Sequence, residues 1–522
     1  MKKCFHKFLN AVLHILAFLL FLVVLALSFY VINRILMPKN TQKNSPWPTT
    51  SNCNQFYKME KDSVDVLFLG SSVVINAFSP QQLYNDYGIR SYNLGTEQQS
   101  LFVSYYWLRE ALRFQSPQAV VVDLKFAYPY DNTYGKINMT EGLLRKSMDW
   151  MRYSKVKRDA IREIHQLDPD QTEISYLFPN IRFRSRWTEV TKEDFDIKNI
   201  MHSDLKGFAP LSELGPDKYY PDTMIDPESR EPMAPVMEEY LMRIAELCRD
   251  KRIHLILTNI PGSNHGDGVH NTIENFAEKY GAHFLDFCEK SVFDQLGAEF
   301  PVISVFNHAN ILGAERMTDY MGKVLTELGI QGQKDPQYES TKTIYQKKRD
   351  EKANELVLPV LKDEQDFAKY MGLLRGNGCS VFLTVGSDGM GKLGEEEKKA
   401  LAQLGFETDF SDLSGCSFCG AVTPDGVVEK KDEKDNVRIF GELSSLNMTY
   451  HLYSAGNEEK KSGYVILSGQ QYAIHSQGIT VVVYNNLEHQ LADVAFFNTD
   501  PQGHPVREIQ IEENEKSPNK DN

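Results

Sequence analysis

The residues with the clearest chemical potential are two serines that follow a short apolar segment. The stretch Asp65–Pro80 reads DVLFLGSSVVINAFSP, so the apolar run Val64–Leu69 ends in Gly70 and leads directly into Ser71 and Ser72. A serine at the carboxyl end of a strand can face a cleft beside backbone N–H groups, which a nucleophile and its oxyanion hole require. The spacing is not that of the nucleophile elbow G-x-S-x-G, because a valine occupies the final glycine position. The alternative interpretation is a turn serine that satisfies backbone groups.

A candidate general base lies far downstream. The segment Asn307–Thr318 reads NHANILGAERMT and places His308 just before a helical stretch. A histidine can accept and return a proton near neutral pH, which is the service a serine nucleophile needs. Acyl chemistry by such a pair requires no metal and no organic cofactor. The alternative is that His308 is a structural residue at a helix start.

Four apolar segments, alternating with helical patterns, predict the sheet that positions these residues. The segments are Val64–Leu69, Ala119–Leu124, His254–Thr258 and His283–Phe287. Buried strands that alternate with helices indicate an α/β fold with a parallel sheet and crossover connections. Because the chemistry of such sheets lies at the carboxyl ends of the strands, Ser72 is predicted to lie at that edge.

A polar, aromatic-rich insertion at 131–235 interrupts this alternation. Its stretch Ser175–Asp194 contains Arg184, Arg186 and Trp187. Arginines can bind anionic groups through two parallel hydrogen bonds, and a tryptophan can stack on a sugar ring. We therefore predict these three side chains as substrate-binding residues. A helical cap that packs over the sheet is the alternative.

Several blocks of the sequence resemble the SGNH/GDSL-type hydrolases. The blocks are Asp65–Pro80, Ser91–Ser100 (SYNLGTEQQS), the strand that ends in Asp123, and His308–Thr318. The most similar branch includes the D-alanine transfer protein of teichoic acid synthesis and the AlgX/AlgJ-type alginate O-acetyltransferases. The resemblance covers about residues 60–330. It implies an SGNH-hydrolase-like three-layer α/β domain.

The same resemblance implies roles for individual residues. The family's G-[DS]-S block puts the nucleophile at Ser72, and its H-L-N-x-x-G-A block puts the general base at His308. The backbone N–H groups of Ser72 and Gly95 would form the oxyanion hole, with Asn93 beside them. Family members usually carry an aspartate three residues before the histidine, and this chain has Val305 there.

The missing aspartate leaves the activity open. Loss of the orienting carboxylate of a serine hydrolase can cost about four decades in rate. Ser304 and Asn307 are close to the histidine in sequence but carry no charge, and Asp286 could serve only if the fold brings it near. The alternative to an enzyme is therefore a catalytically degenerate surface protein that binds or assembles glycans.

The N-terminus carries a predicted membrane anchor. From Phe8 to Asn33 there is no charged side chain, and Ile15–Ile32 is almost wholly apolar. About 20 helical residues cross the hydrocarbon core of a bilayer. We predict an uncleaved, single-pass signal-anchor with the bulk of the chain extracytoplasmic. A cleaved signal peptide, with Ala26 and Ser28 as the small residues of its cleavage site, is the alternative.

Changes in composition predict the domain boundaries. They are a cytoplasmic tip and anchor at 1–37, a stalk at 38–60, the SGNH-like domain at 61–330, a linker at 331–358, a smaller domain at 359–503 and a polar tail at 504–522. The stalk prediction rests on prolines among polar residues, and the linker prediction on high charge with few large apolar groups. A chain of 522 residues is long enough for two cores.

The smaller domain has an α+β pattern and resembles the interleukin-like PANDER/ILEI domain. The likeness rests on Ser380–Gly386 (SVFLTVG), Glu395–Leu404, Gly478–Tyr484 (GITVVVY) and Asp493–Asp500. It implies a non-catalytic module that binds glycans. A purely structural role is equally open.

Charge and cysteine content limit the partners. A formal charge of −14 excludes most nucleic-acid binding, which needs a basic surface. Seven cysteines are too few for a disulfide scaffold in a chain of this length.

Taken together, these features of the sequence predict a membrane-anchored esterase or O-acyltransferase that acts on acyl esters of a surface polysaccharide or cell-wall polymer. A membrane partner that delivers acyl groups would accompany a transferase.

Overall fold

The structure is a computed structural model. It describes residues 2–38, 49–128, 140–195, 205–215, 221–297, 302–304, 307–386, 391, 393–410, 415–455, 463–475, 478–499 and 505–507. The chain divides into two compact units. The first comprises Met1–Leu211, Gly215–Ala298 and Val302–Tyr345, and the second comprises Gln346–Asn522 with two short segments at 212–214 and 299–301.

A five-stranded parallel sheet organises the first unit. Its strands are β1 (Val66–Leu69), β2 (Ser91–Asn93), β3 (Ala119–Asp123), β4 (His254–Asn259) and β5 (His283–Asp286). Their order in the sheet is β2-β1-β3-β4-β5, and every neighbouring pair is parallel. The predicted α/β class with a parallel sheet is confirmed at this level.

Helices precede, connect and follow these strands. They are α2 (Thr49–Phe56), α3 (Ser72–Ala77), α4 (Pro80–Tyr87), α5 (Leu101–Ala111), α6 (Glu141–Met148), α7 (Lys155–Leu167), α8 (Glu173–Leu177), α9 (Asn180–Phe183), α10 (Lys192–Phe195), α11 (Pro235–Lys251), α12 (Asp267–Tyr280), α13 (Lys290–Gln295), α14 (Ile311–Glu327), α15 (Pro336–Glu339) and α16 (Lys342–Leu361). Short 3-10 turns occur at Lys125–Ala127 and Arg184–Thr188. Parallel strands need such crossovers because their ends lie at opposite edges of the sheet.

The core of the first unit lies between the sheet and its helices. Leu67 of β1, Val120 and Val122 of β3, and Leu257 of β4 point into one cluster and are completely buried. Trp107 of α5 packs in the same cluster. Strands that are buried on both faces read as continuous apolar runs, which is why the sequence revealed them.

An N-terminal helix, α1 (Lys2–Leu36), precedes the sheet. Its part Phe8–Leu36 has a mean hydropathy of 3.0 over its most apolar window, and none of that window is buried in the protein. Within the described residues this is the one helix long and apolar enough to cross a membrane. This agrees with the predicted anchor, and it leaves cleavage and sidedness as predictions.

Two segments predicted as connections contain helices. Residues 49–56 of the predicted stalk form α2, in which Cys53 and Phe56 are buried. Residues 336–358 of the predicted linker belong to α15 and α16, with buried Tyr338 and Tyr345. Polar residues dominate the first segment and charged residues the second, and each buries only a few apolar side chains at helical spacing.

The second unit is built from two antiparallel sheets. Six strands are arranged β15-β14-β13-β6-β7-β8, and four as β12-β11-β10-β9. The strands are β6 (Cys379–Gly386), β7 (Ser417–Thr423), β8 (Gly426–Asp432), β9 (Val437–Leu443), β10 (Met448–Ser454), β11 (Gly463–Leu467), β12 (Gln470–His475), β13 (Gly478–Asn485), β14 (Gln490–Thr499) and β15 (Pro505–Arg507). Helices α17 (Phe367–Leu374) and α18 (Glu395–Gln403) complete it. β15 includes the first residues of the predicted polar tail.

Candidate active site

A serine and a histidine that are 236 positions apart in the sequence meet at the carboxyl end of β1. The Oγ of Ser72 lies 2.8 Å from the Nε2 of His308. Ser72 is 6% exposed and His308 is 8% exposed. The distance suits a hydrogen bond through which the hydroxyl proton can pass to the imidazole. This juxtaposition is the one that the sequence proposed for a nucleophile and its base.

The turn that presents Ser72 is fixed by a buried aspartate. Asp123, the last residue of β3, accepts hydrogen bonds from the backbone N–H of Ser71 at 2.9 Å and from the Ser71 Oγ at 2.6 Å. Its other oxygen accepts the backbone N–H of Lys125 at 2.7 Å. Gly70 has φ +150°, and a Cβ there would lie 2.5 Å from the Cβ of Asp123. Glycine is therefore required where β1 turns into α3.

Burial governs the charges at this turn. Loss of hydration raises the pKa of the Asp123 carboxyl, while the hydrogen bonds from Ser71 and the Lys125 amide act in the opposite direction. Burial also lowers the pKa of the nearby Lys125 ammonium, and the Asp123 charge opposes that shift. Since one Asp123 oxygen accepts both hydrogen bonds from Ser71, Asp123 holds the segment that carries Ser72.

His308 is held by a short, tightly closed loop. Ile303 and Ala309 form an antiparallel bridge, and the backbone N–H of Ser304 donates to the His308 carbonyl at 2.7 Å. Asn307 has φ +54°, a conformation that asparagine tolerates better than most residues. The described residues of this loop, 302–304 and 307–309, are therefore paired with each other just before α14.

Helix α14 ties this loop to the helix that starts at Ser72. Asn310 caps α14 by accepting the backbone N–H of Gly313 at 3.0 Å. Further along, the Thr318 hydroxyl accepts the backbone N–H of Ser79 at 2.9 Å and donates to the Ala77 carbonyl at 3.3 Å. These bonds join α14 to the end of α3, so the two catalytic candidates are positioned by adjacent helices.

The predicted oxyanion-hole residues lie beside the same turn. A Cβ at Gly95 would lie 2.8 Å from the Gly70 carbonyl oxygen, and the backbone N–H of Thr96 donates to that oxygen at 3.2 Å. The backbone at Gly95 therefore packs directly against the turn that carries Ser72. Among the described residues, neither the Ser72 nor the Gly95 backbone N–H has an acceptor, as an oxyanion hole would require.

Asn93, the third predicted oxyanion residue, has a structural hydrogen bond. Its Nδ2 donates to the Phe78 carbonyl at 2.7 Å, which holds the chain after α3. A Cβ at Gly207 would lie 2.1 Å from the Asn93 carbonyl, so the insertion packs closely here. The role of Asn93 at an oxyanion stays a prediction.

The carboxylate considered as an orienting group has another histidine as its partner. Asp286, at the end of β5, accepts from the Nδ1 of His270 at 2.8 Å, and its second oxygen accepts the backbone N–H of Cys288 at 2.9 Å. The hydrogen bond to Asp286 raises the pKa of His270. Val305, which replaces the usual aspartate of the family block, lies outside the described residues.

The predicted substrate-binding residues lie at the end of α1. Arg186 donates to the Leu36 carbonyl at 2.7 Å and forms an ion pair with Asp194 at 3.2 Å. Arg184 donates to the carbonyl of Ile181, and Trp187 is 73% exposed. No hydrogen bond or ion pair joins these three described side chains to the Ser72–His308 pair. Their role in binding a substrate stays a prediction.

Sequence reasoning missed the supports of the site rather than its reacting groups. It did not connect Ser71 with Asp123, or Thr318 with the end of α3. It also did not pair His270 with Asp286. The position of Asp123 at the end of a strand was a sequence signal for its role. No sequence signal indicated the bonds of Thr318 or the pairing of His270 with Asp286.

Comparison with known proteins adds no relative. No family model matches the chain, and no curated protein matches it at a significant level. Within the described residues, no group of three or more histidine, cysteine or acidic side chains is arranged to hold a metal ion. The function is therefore argued from the site itself.

Proposed function

We propose that this protein is a membrane-anchored, extracytoplasmic SGNH-like esterase or O-acyltransferase that acts on acyl esters of a surface polysaccharide or cell-wall polymer. The observation that carries the proposal is the 2.8 Å contact between the Ser72 Oγ and the His308 Nε2. A serine alcohol is a weak nucleophile unless an adjacent base takes its proton, and this contact supplies such a base.

The reaction begins with attack of the Ser72 Oγ on the acyl carbonyl carbon. The hydroxyl proton passes to the His308 Nε2, and the carbonyl oxygen becomes an oxyanion beside the N–H groups of Ser72 and Gly95. Collapse of this intermediate breaks the ester bond. The leaving sugar oxygen takes the proton from His308, and an acyl-Ser72 ester remains.

The second half of the reaction, in which the acyl-Ser72 ester is broken down, determines whether the enzyme is an esterase or a transferase. His308 accepts a proton from water or from an acceptor hydroxyl, which attacks the acyl-Ser72 carbonyl. The new tetrahedral intermediate expels the Ser72 oxygen, and His308 returns the proton to it. Water gives a free acid, and a sugar hydroxyl gives a new ester. A transferase would need a membrane partner to deliver the acyl group.

The remaining features support an assignment to the cell surface. The N-terminal helix is long and apolar enough to anchor the chain in a membrane. The likeness of the first unit to SGNH hydrolases, and of the second to PANDER/ILEI domains, favours a carbohydrate substrate. Both likenesses rest on sequence blocks alone.

The partners of Asp123 and Asp286 favour a second candidate function. Asp123 accepts hydrogen bonds from Ser71 and Lys125, and Asp286 accepts hydrogen bonds from His270 and Cys288, so both carboxylates are used elsewhere. Loss of the orienting carboxylate costs a serine hydrolase about four decades in rate, and the alternative is therefore a surface protein that binds glycans without cleaving them.

A fluorophosphonate probe and an acetyl ester separate these two functions. The full-length protein in detergent is treated with the probe and assayed with p-nitrophenyl acetate. We expect stoichiometric labelling of the wild-type chain and none of Ser72→Ala. Ser91→Ala is the matched control, because it removes a buried hydroxyl that has no hydrogen-bond partner among the described residues and leaves Ser72 and its turn unchanged. Equal labelling of Ser72→Ala would move the nucleophile elsewhere, and a folded, unlabelled wild type would favour the glycan-binding alternative.

A further inference from the structure

An unusual number of large apolar side chains are exposed on the insertion beside α1. They belong to α8, α9, α10 and the 3-10 turn between α9 and α10, a stretch that we call the collar (residues 173–195). The side chains are Ile174, Leu177, Phe178, Ile181, Trp187 and Phe195, and their exposed fractions range from 38% to 73%. Large apolar side chains that are exposed together on one short stretch suit a contact with a partner or a membrane.

The collar is attached to the end of α1. The backbone N–H of Asn180 donates to the Asn33 Oδ1 at 2.9 Å, and the Arg186 guanidinium donates to the Leu36 carbonyl at 2.7 Å. Leu36 is the last residue of α1. The collar is therefore fixed at the level where the apolar helix ends, which is the membrane–water interface if the helix crosses a bilayer.

The composition of the collar suits that interface. Tryptophan is enriched where a bilayer meets water, since its ring is apolar and its N–H group is polar. Arg182 and Arg184 lie on the same stretch, about half exposed or more, within reach of anionic lipid headgroups. Arg34, near the end of α1, lies over the Trp150 ring at 5.0 Å, so cations and aromatic rings meet here repeatedly.

A cavity of about 350 Å³ opens beside the same helix end. Its lining is mainly apolar and includes Met37, Leu143, Trp150 and Phe183. A cavity of this size and chemistry can hold part of an acyl chain. It lies next to the collar, because Phe183 belongs to both.

We propose that the collar is an interfacial lipid-binding surface. Its apolar side chains enter the boundary between headgroups and acyl chains of the bilayer that α1 crosses, and its arginines contact lipid phosphates. The collar then holds the parallel-sheet unit at a fixed height and orientation above the membrane. The inference rests on the membrane-anchored part of the proposed function and not on its chemistry. It gives Arg184 and Trp187 a lipid ligand instead of a substrate, and it gives Arg186 the role of holding the collar to α1.

Tryptophan quenching by brominated lipids tests this proposal. The full-length protein is reconstituted in phosphatidylcholine vesicles with plain or brominated acyl chains, and the emission of Trp187 is obtained by subtracting the Trp187→Phe variant. We expect the bromines to lower this emission roughly two-fold, because an interfacial tryptophan lies within reach of the upper acyl chain. Adding anionic phosphatidylglycerol should increase the effect.

Matched variants make the outcome decisive. Ile225 is 82% exposed and lies on a loop whose backbone N–H donates to Asp267 of α12. The emission that Ile225→Trp adds in the Trp187→Phe background, obtained by subtracting the Trp187→Phe variant, should show no lipid quenching. Ser72→Ala should keep the wild-type quenching, so loss of the proposed chemistry is distinguishable from loss of the collar. An unquenched Trp187, equal quenching at position 225, or failure of the protein to float with the vesicles would each overturn the proposal.

Discussion

Two histidines of the first unit have different partners near the carboxyl edge of the sheet. His308 lies 2.8 Å from a serine hydroxyl that follows β1, and His270 lies 2.8 Å from the Asp286 carboxylate that ends β5. A hydroxyl can give its proton to an imidazole. A carboxylate instead stabilises the protonated ring and raises the pKa of His270.

The difference can be compared with the arrangement of a serine hydrolase triad. A triad places a hydroxyl, an imidazole and a carboxylate in one line. Here the hydroxyl is beside one histidine, and the carboxylate that sequence reasoning considered is beside another. The comparison therefore agrees with the proposed role of His308 as the base, and it predicts that His270 contributes to stability.

The largest effect on turnover is expected when each of the two histidines is replaced separately by glutamine. His308→Gln removes the base and should lower esterase turnover about 10³-fold or more, the scale of a lost triad member. His270→Gln should leave turnover within about three-fold, since its ring contacts no proposed reacting group. Initial rates with p-nitrophenyl acetate measure both. Equal losses in the two variants would remove the functional distinction between the two sites.

The next largest effect concerns the turn that presents Ser72. Gly70→Ala should lower the free energy of unfolding by about 3 kcal/mol, because its Cβ would lie 2.5 Å from the Asp123 Cβ at a φ of +150°. Gly88→Ala is the control. Gly88 also has a positive φ, but no atom lies within 4 Å of its added Cβ. It should cost about 1 kcal/mol, and chemical denaturation would show whether the two differ.

Removal of the Ser71 hydroxyl should have a smaller, pH-dependent effect. Ser71→Ala deletes the 2.6 Å bond to Asp123 and should cost about 2 kcal/mol at pH 7, as for hydrogen bonds to charged groups. Burial raises the pKa of Asp123 above its unfolded value, so its ionisation destabilises the fold as pH rises through that range. Ser71 limits this penalty, and its loss should therefore matter more at pH 7 than at pH 4.

Ser91→Ala provides the matched control for that measurement. The Ser91 hydroxyl is buried too, but it has no hydrogen-bond partner among the described residues. Its removal should change the free energy of unfolding little at either pH. A pH-independent loss in Ser71→Ala would indicate that Asp123 is already neutral in the folded protein.

Runs of apolar residues predicted the framework of the first unit, because β1, β3 and most of β4 are buried on both faces. β5 was also read as an apolar run, although it is only partly buried. β2 is a three-residue strand, Ser91–Asn93, too short for any period to show. The α-helices of the predicted linker were missed because charge dominates 331–358 and only a few residues, such as Tyr338, are buried. The composition of a charged segment does not reveal whether its few apolar residues pack against the rest of the protein.

The candidate site was predictable in its reacting groups and not in its supports. Ser72 and His308 lie in recognisable blocks, so their meeting could be proposed across 236 positions. The pairing of Asp286 with His270 depends on how α12 packs beside β5, and no motif encodes it. The two residues are 16 positions apart, a separation that no spacing rule connects.

The smallest effect is expected in the stability contributed by the His270–Asp286 pair. The pKa of His270 is raised in the folded protein, so the pair stabilises the fold fully below the unfolded pKa, about 6.5, and loses this contribution as pH rises through the folded pKa. His270→Gln should therefore cost on the order of 1 kcal/mol at pH 5.5 and less at pH 9. His283→Gln is the control of opposite sign, because burial lowers the pKa of His283. At low pH, protonation of His283 destabilises the folded protein, so His283→Gln should raise the free energy of unfolding there. Urea unfolding measures this free energy for both variants. A change of the same sign in both at pH 5.5 would contradict the role of Asp286 at His270.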